Sequence, residues 1–113
     1  MNPKARLRHK ADKLFFQKYL QPKCEVCNME ARQLHHYYPK GLYGHLRYDP
    51  DNAISLCMGC HFRHHHRGDP AIHQTIQANR GIKWIRELAG KAHTTPKDYK
   101  LTTKWYREII EKL

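Results

Sequence analysis

Residues 24–66 read CEVCNMEARQLHHYYPKGLYGHLRYDPDNAISLCMGCHFRHHH, and this stretch decides the architecture. It holds all four cysteines and seven of the ten histidines of a 113-residue chain. Two residues separate Cys24 from Cys27, and two separate Cys57 from Cys60. Such a gap lets one tight turn aim two thiolates at a tetrahedral ion, and a second pair closes a four-sulfur site. The pattern predicts structural Zn²⁺ on Cys24, Cys27, Cys57 and Cys60, with redox chemistry or plain buried cysteines as the alternatives. The segment between the pairs is longer than a minimal zinc ribbon needs, so a further unit is expected there. Large aliphatic residues are few in it and around it: Val26, Leu34, Leu42, Leu46, Ile54 and Leu56. So small a core makes zinc an expected requirement for folding.

Within the stretch, Ala31 to Tyr38 reads as a short strand carrying His35 and His36. Pro39-Lys40-Gly41 opens a loop that continues through Gly44 to Tyr48 and includes His45 and Arg47. Asp49-Pro50-Asp51-Asn52 has the composition of a turn, and Ala53 to Leu56 reads as a second strand. From Met58 onward a helix is expected. On it His61 and His65 stand four residues apart and share a face, which His64 and His66 do not.

Outward from this core, Met1 to Leu20 reads as a basic helix. Leu7, Ala11, Leu14, Phe15 and Tyr19 fall near a 3.6-residue spacing among lysines and arginines, and Pro22 ends it. After His66, Gly68-Asp69-Pro70 supplies a turn, a cap and a first helical proline. A helix with Ile72 and Ile76 follows, then another over Ile82 to Ala89 with Gly90 at its end, then a loop over 93–100. Thr102 or Thr103 caps a last helix containing Tyr106, Ile109 and Ile110. The expected fold class is α+β, mostly helical, in one domain: a basic helix over 1–23, a metal-bearing core over 24–66 and C-terminal helices over 67–113. The apolar stripes of those helices serve an intramolecular core or, alternatively, a homodimer seam.

Lys and Arg total 21 against 10 Asp and Glu, for a formal charge of +11 and a pI near 9.7. Such a field attracts polyanions, although a generically basic protein has the same balance. Aromatics interleaved with the charges, among them Tyr37, Tyr43, Tyr48, Trp84 and Trp105, favour nucleic acid as the partner. Lys40, His45, Arg47 and Arg63 are the candidate phosphate contacts, with solvated or loop-stabilising roles as their alternatives. No apolar run approaches the roughly 20 residues needed to span a bilayer, and no signal-peptide pattern opens the chain. No membrane partner is expected, and a reducing cytoplasm is the expected location, where paired C-x-x-C motifs hold metal more often than disulfides.

Cys-x-x-Cys, His-His and Asp-x-Asp-Asn-x-x-x-Leu-Cys-x-x-Cys-His-x-x-x-His, in this order and spacing, resemble the HNH endonucleases of the ββα-metal fold. The likeness covers about forty residues. It implies that His36 is the general base, that His35, His61 and His65 bind one catalytic divalent ion, and that Asn52 ties the hairpin and orients the base. His61 is the last letter of the motif. A narrower set is similar to the phage NinG (Rap) recombination family, which cuts branched DNA such as Holliday junctions. It comprises Ala11 to Phe15, His36-Tyr37, Gly41, His45 to Tyr48, Asp51-Asn52 and Tyr106-Arg107. This implies a bacterial host cell and a phage-encoded or bacterial recombination role. That family lacks counterparts of His35 and His61, so the ion site here is more like that of three-histidine HNH members.

The chemistry fits these roles. Phosphodiester hydrolysis needs a base for water and positive charge for the phosphate and the departing oxygen; a neutral imidazole and a divalent ion can supply them. Imidazole ligands favour Mn²⁺, Ni²⁺, Co²⁺ or Zn²⁺. Mg²⁺ remains an option if phosphate oxygens and waters complete its shell. The expectation is therefore a metal-dependent HNH endonuclease acting on DNA. Two alternatives stand beside it: a non-catalytic zinc-stabilised nucleic-acid-binding module, and a homing or restriction-type HNH nuclease.

Overall fold

The computed structural model describes residues 1–94 and 101–113. The chain is α+β and mostly helical. It runs α1 (Pro3–Tyr19), β1 (Gln33–His36), β2 (Ala53–Leu56), α2 (Met58–Arg67), α3 (Pro70–Arg80), α4 (Ile82–His93) and α5 (Thr103–Lys112), with 3₁₀ turns at Gly44–Leu46 and Pro50–Asn52. Among the described residues no helix is long and apolar enough to cross a membrane.

The two strands pair antiparallel, with Gln33 opposite Leu56 and His36 opposite Ala53. Side chains alternate across a strand, so this register sends Leu34, His36, Ala53 and Ser55 to one face and Gln33, His35, Ile54 and Leu56 to the other. Each face has its own cover. Leu34 and Ala53 join a cluster with Ala11 and Phe15 of α1, Tyr48, and Tyr106, Ile109 and Ile110 of α5. Ile54 and Leu56 pack with Cys24, Cys60 and the α3 residues Ile72 and Ile76. A third cluster puts Leu88 and Ala92 of α4 against Leu46 in the loop between the strands. Adjacent histidines on β1 therefore look into two different environments.

Caps set the helix boundaries. Asn2 accepts the Ala5 N–H at 2.8 Å before Pro3, and Asp69 accepts the Ala71 N–H at 2.9 Å before Pro70. Thr102 accepts the Trp105 N–H at 3.1 Å. Gly68 closes α2 in the left-handed region (φ 59°), where a Cβ would be strained. Two elements, β1 and α4, differ in length from the sequence expectation. The first strand is four residues, not eight: at its far end the Asn52 side chain takes both the N–H and the C=O of Tyr38 and ends the ladder, and at its near end the Ala31 N–H turns to the Pro22 carbonyl at 3.0 Å. The helix expected to stop at Gly90 runs on to His93. A helical glycine costs about 1 kcal/mol relative to alanine, and burial of Ala92 one half-turn later offsets it. The loop expected over 93–100 lies mostly outside the described residues.

Long-range polar contacts fasten the layers. Arg80 of α3 grips the Glu25 carboxylate with Nη2 at 2.6 Å and Nε at 2.8 Å, and donates from Nη2 to the Ala53 carbonyl at 3.0 Å. Lys91 of α4 meets Asp49 and Asp51, each at 3.0 Å.

Candidate functional site

The four cysteine sulfurs all lie within 4.8 Å of one another, with Cys27 Sγ and Cys57 Sγ 3.4 Å apart. The first pair sits on a turn in which Asn28 adopts φ 66° and donates its N–H to the Cys24 carbonyl at 3.0 Å. Asparagine tolerates that left-handed conformation better than most residues. Cys57 is the N-cap of α2, its sulfur accepting the Cys60 N–H at 3.3 Å. Burial pushes the Cys24 thiol up, but the N–H groups of Cys27, Cys57 and Val26 outweigh it and bring it down to about 7. Burial and the neighbouring sulfurs push Cys60 up. Four thiolates this close repel one another, and a dication removes the conflict. The set fits one structural metal ion such as zinc.

On the far side of β1 from α1, His35 is buried and surrounded by imidazoles. Its ring centroid lies 4.8 Å from His64, 5.2 Å from His73, 5.4 Å from His65 and 6.1 Å from His61. Two sets of three have ligand nitrogens close enough to hold an ion: His35, His61 and His65, and His35, His64 and His73. Burial, then the charges of His64 and His73, pushes the His35 pKa down to about 2, and burial brings His73 to about 4. Both rings are neutral near pH 7, the form that ligates metal. Neither set contains a carboxylate, so the donors suit transition metals better than Mg²⁺ alone.

His36 looks the other way, toward Phe15 of α1, yet the residue also lines the same cavity of about 620 Å³ as His35, His61 and His65. Its Nε2 is 2.8 Å from the Arg47 carbonyl. A carbonyl can only accept, so Nε2 carries the proton and Nδ1 keeps the lone pair. Burial lowers the His36 pKa below its ordinary value, despite the opposing pull of that carbonyl. His36 is thus a neutral imidazole with a fixed tautomer.

The carbonyl is itself held. Asn52, fully buried, accepts the Tyr38 N–H at 2.7 Å and donates to the Tyr38 and Leu46 carbonyls at 3.1 and 3.2 Å, bracing the loop next to Arg47. Asn52→Ala strips partners from one N–H and two carbonyls, and at about 1 kcal/mol or more for each we expect a loss of about 3 kcal/mol. Urea unfolding reads this; a change below about 1 kcal/mol would mean that water replaces the amide.

From α1, Asp12 receives the Arg47 guanidinium at 2.9 and 2.7 Å and the Tyr48 hydroxyl at 2.7 Å. Burial raises the Asp12 pKa, but the bonds from Arg47 and Tyr48 and the charges of Arg47 and Lys40 bring it below the ordinary 3.8. A lowered carboxyl stabilises the fold above its unfolded value, and that contribution disappears as pH falls through the lower folded value. We expect Asp12→Asn to cost about 1 kcal/mol at pH 6, the pair being partly solvent-screened. The difference from wild type should narrow below about pH 4, followed by urea midpoints. An equal difference at pH 6 and pH 3 would show that the effect is packing and not charge.

The structure thus brings His35, His36, His61 and His65 onto one cavity and puts Asn52 behind the loop that holds His36. The four candidate phosphate contacts divide. Lys40 is exposed at the cavity rim. Arg47 faces Asp12, Arg63 is paired with Asp69 at 2.7 Å, and His45 Nε2 lies 3.1 Å from the Lys91 carbonyl. His66 stacks on Phe62 at 4.7 Å, but His64, off the His61–His65 face, turns to His35. Sequence reasoning missed His73, which lies outside the motif on α3, and the Asp12 link to the His36 loop. No protein-family model, curated protein or solved structure matches the chain.

Proposed function

We propose that the chain belongs to the class of metal-dependent phosphodiester hydrolases and acts on DNA. Within that class it is an HNH endonuclease, with β1, β2 and α2 as its ββα-metal core and with branched recombination DNA, as for the NinG-like enzymes it resembles, as the substrate. The observation that carries this reading is the pairing on one cavity of a tautomer-fixed base, His36, with the ligand set His35, His61 and His65.

The residues divide the work. His36 Nδ1 takes a proton from the attacking water, and the imidazolium that forms is stabilised by its Nε2–H bond to the Arg47 carbonyl. Asn52 keeps that carbonyl in place by bracing Leu46. Lys40 at the rim meets a neighbouring phosphate and helps to align the strand. His35, His61 and His65 would hold a divalent ion, which would supply positive charge to the phosphate and to the departing 3′ oxygen. The sulfur site, one residue before His61, fixes the start of α2 and so the pitch of its histidines.

Purified protein incubated with supercoiled and with four-way branched DNA, plus Mg²⁺, Mn²⁺, Co²⁺, Ni²⁺ or Zn²⁺, should nick or resolve the substrate with at least one ion. Tight binding with no cleavage under every ion would replace this reading by the zinc-stabilised binding module. Cutting of linear DNA at one sequence would favour the homing or restriction type.

A further inference from the structure

The cavity holds more histidines than one three-coordinate set requires. His73 enters it from α3 in a fixed pose. Its ring stacks on Tyr37 (centroids 4.5 Å apart, planes 18°), and the Tyr37 hydroxyl receives the Gln77 amide at 2.6 Å. It also stacks on His64 (4.3 Å, 15°), and its Nε2 lies 3.0 Å from His35 Nε2. Two imidazole nitrogens this close share either a proton or an ion. Nitrogens on one tetrahedral zinc, with bonds of about 2.0–2.1 Å, stand about 3.3 Å apart, so this pair needs little movement, while the His64 ligand nitrogen, within 4.8 Å of the other two, draws in by a turn of its ring. Of the two sets that share His35, the one with His64 and His73 is the more enclosed, since His65 is exposed and both of these are partly buried.

We propose that His35, His64 and His73 form a second, inner ion position, selective for zinc-like transition metals and exclusive with the outer set of His35, His61 and His65. The preference for such metals over Mg²⁺ follows from three neutral imidazoles and no carboxylate, a donor set the outer position shares; what distinguishes the inner position is its greater enclosure. Exclusivity follows from His35: a neutral imidazole has one lone pair to give, so it serves one set at a time. An ion in the inner position withdraws His35 from the outer one. The consequence rests on the hydrolytic reading above: such an ion is inhibitory, and zinc in excess of the cysteine site suppresses cleavage supported by Mg²⁺ or Mn²⁺.

The test counts ions and needs no activity. Zinc is first loaded on the cysteines, and Co²⁺ is then titrated and followed by its visible absorption. The wild type should take up one Co²⁺ with a nitrogen-ligand spectrum. His61→Ala combined with His65→Ala removes only the outer set, and should still bind one Co²⁺ within about tenfold of wild-type affinity, the equivalent of about 1.4 kcal/mol. Adding His73→Ala should abolish uptake. No uptake by the His61→Ala, His65→Ala protein with its circular dichroism unchanged overturns the proposal. Should that protein lose its helical signal, His73→Gln alone decides: an absorption spectrum and affinity identical to wild type overturn it, and a shifted spectrum supports it. Because the count is read without DNA, absence of cleavage would strike the hydrolytic reading and leave this result standing.

Discussion

His36→Ala should lower DNA cleavage by about 10²- to 10⁴-fold, the usual contribution of a positioned general base, while Co²⁺ uptake and DNA binding stay within twofold of wild type. The separation is expected because His36 and the ligand His35 point to opposite faces of β1, and His61 and His65 stand on α2. Losing the His36 ring opens space beside Phe15 without touching His35, His61 or His65. The pH profile sharpens the test. A base works only when deprotonated, so the rate should rise with pH through the His36 pKa and level off above it. Burial places that pKa below the ordinary 6.5, so wild-type cleavage should be near its plateau by pH 7 and decline only in acid. In the variant that acid limb should vanish, and added imidazole should restore part of the rate. A variant that cuts at the wild-type rate would remove His36 from the mechanism. One that loses ion uptake as well would show that β1 had moved.

The parts of the molecule written locally are those that the sequence made legible. Asp69-Pro70 and Thr102 are capping signals completed within three residues, and both caps form. The two C-x-x-C pairs carry their spacing with them, and their sulfurs converge. The strand, turn, strand and helix order of 33–67 also follows from local composition. What stayed hidden depends on contacts distant along the chain. The early end of β1 is imposed by the side chain of Asn52, 14 residues from Tyr38. The brace of Arg47 on Asp12 spans 35 residues, and the approach of His73 to His35 spans 38. On α3 the regular Ile72 and Ile76 spacing marks the buried stripe and says nothing of what the adjacent His73 will meet. Gly90 illustrates the opposite error, a local stop signal overridden by burial of Ala92 after it. The convergence of His35, His61 and His65 was therefore readable as a pattern, whereas the supports behind them required the fold.

Cys57→Ser should remove the structural ion and with it most of the cooperative fold, and the choice of serine makes the cause identifiable. Cys57 does two things: it offers a thiolate to the sulfur site and it caps α2 by accepting the Cys60 N–H. Serine is itself a good N-cap, so the capping bond survives and the ligand does not. Cys24 and Cys60 are buried in the same cluster as Ile54, Leu56, Ile72 and Ile76, so a failed sulfur site lies inside the core and cannot be repaired by solvent. Binding of a structural zinc ion is worth about 10–16 kcal/mol in small zinc-dependent domains. Total stability of a domain is about 5–15 kcal/mol. Even a partial loss of the first quantity is comparable with the whole of the second. The variant should contain less than about one-fifth of the wild-type zinc and melt broadly, more than about 15 °C lower, and a strong chelator should bring the wild type to the same state. The sulfur site also precedes His61 directly, so the variant should lose Co²⁺ uptake by the histidines, which the His36 change leaves untouched. A Cys57→Ser protein that keeps its zinc and its melting transition would show that the four cysteines pack as ordinary core residues, and the histidine site would then need another explanation for its order.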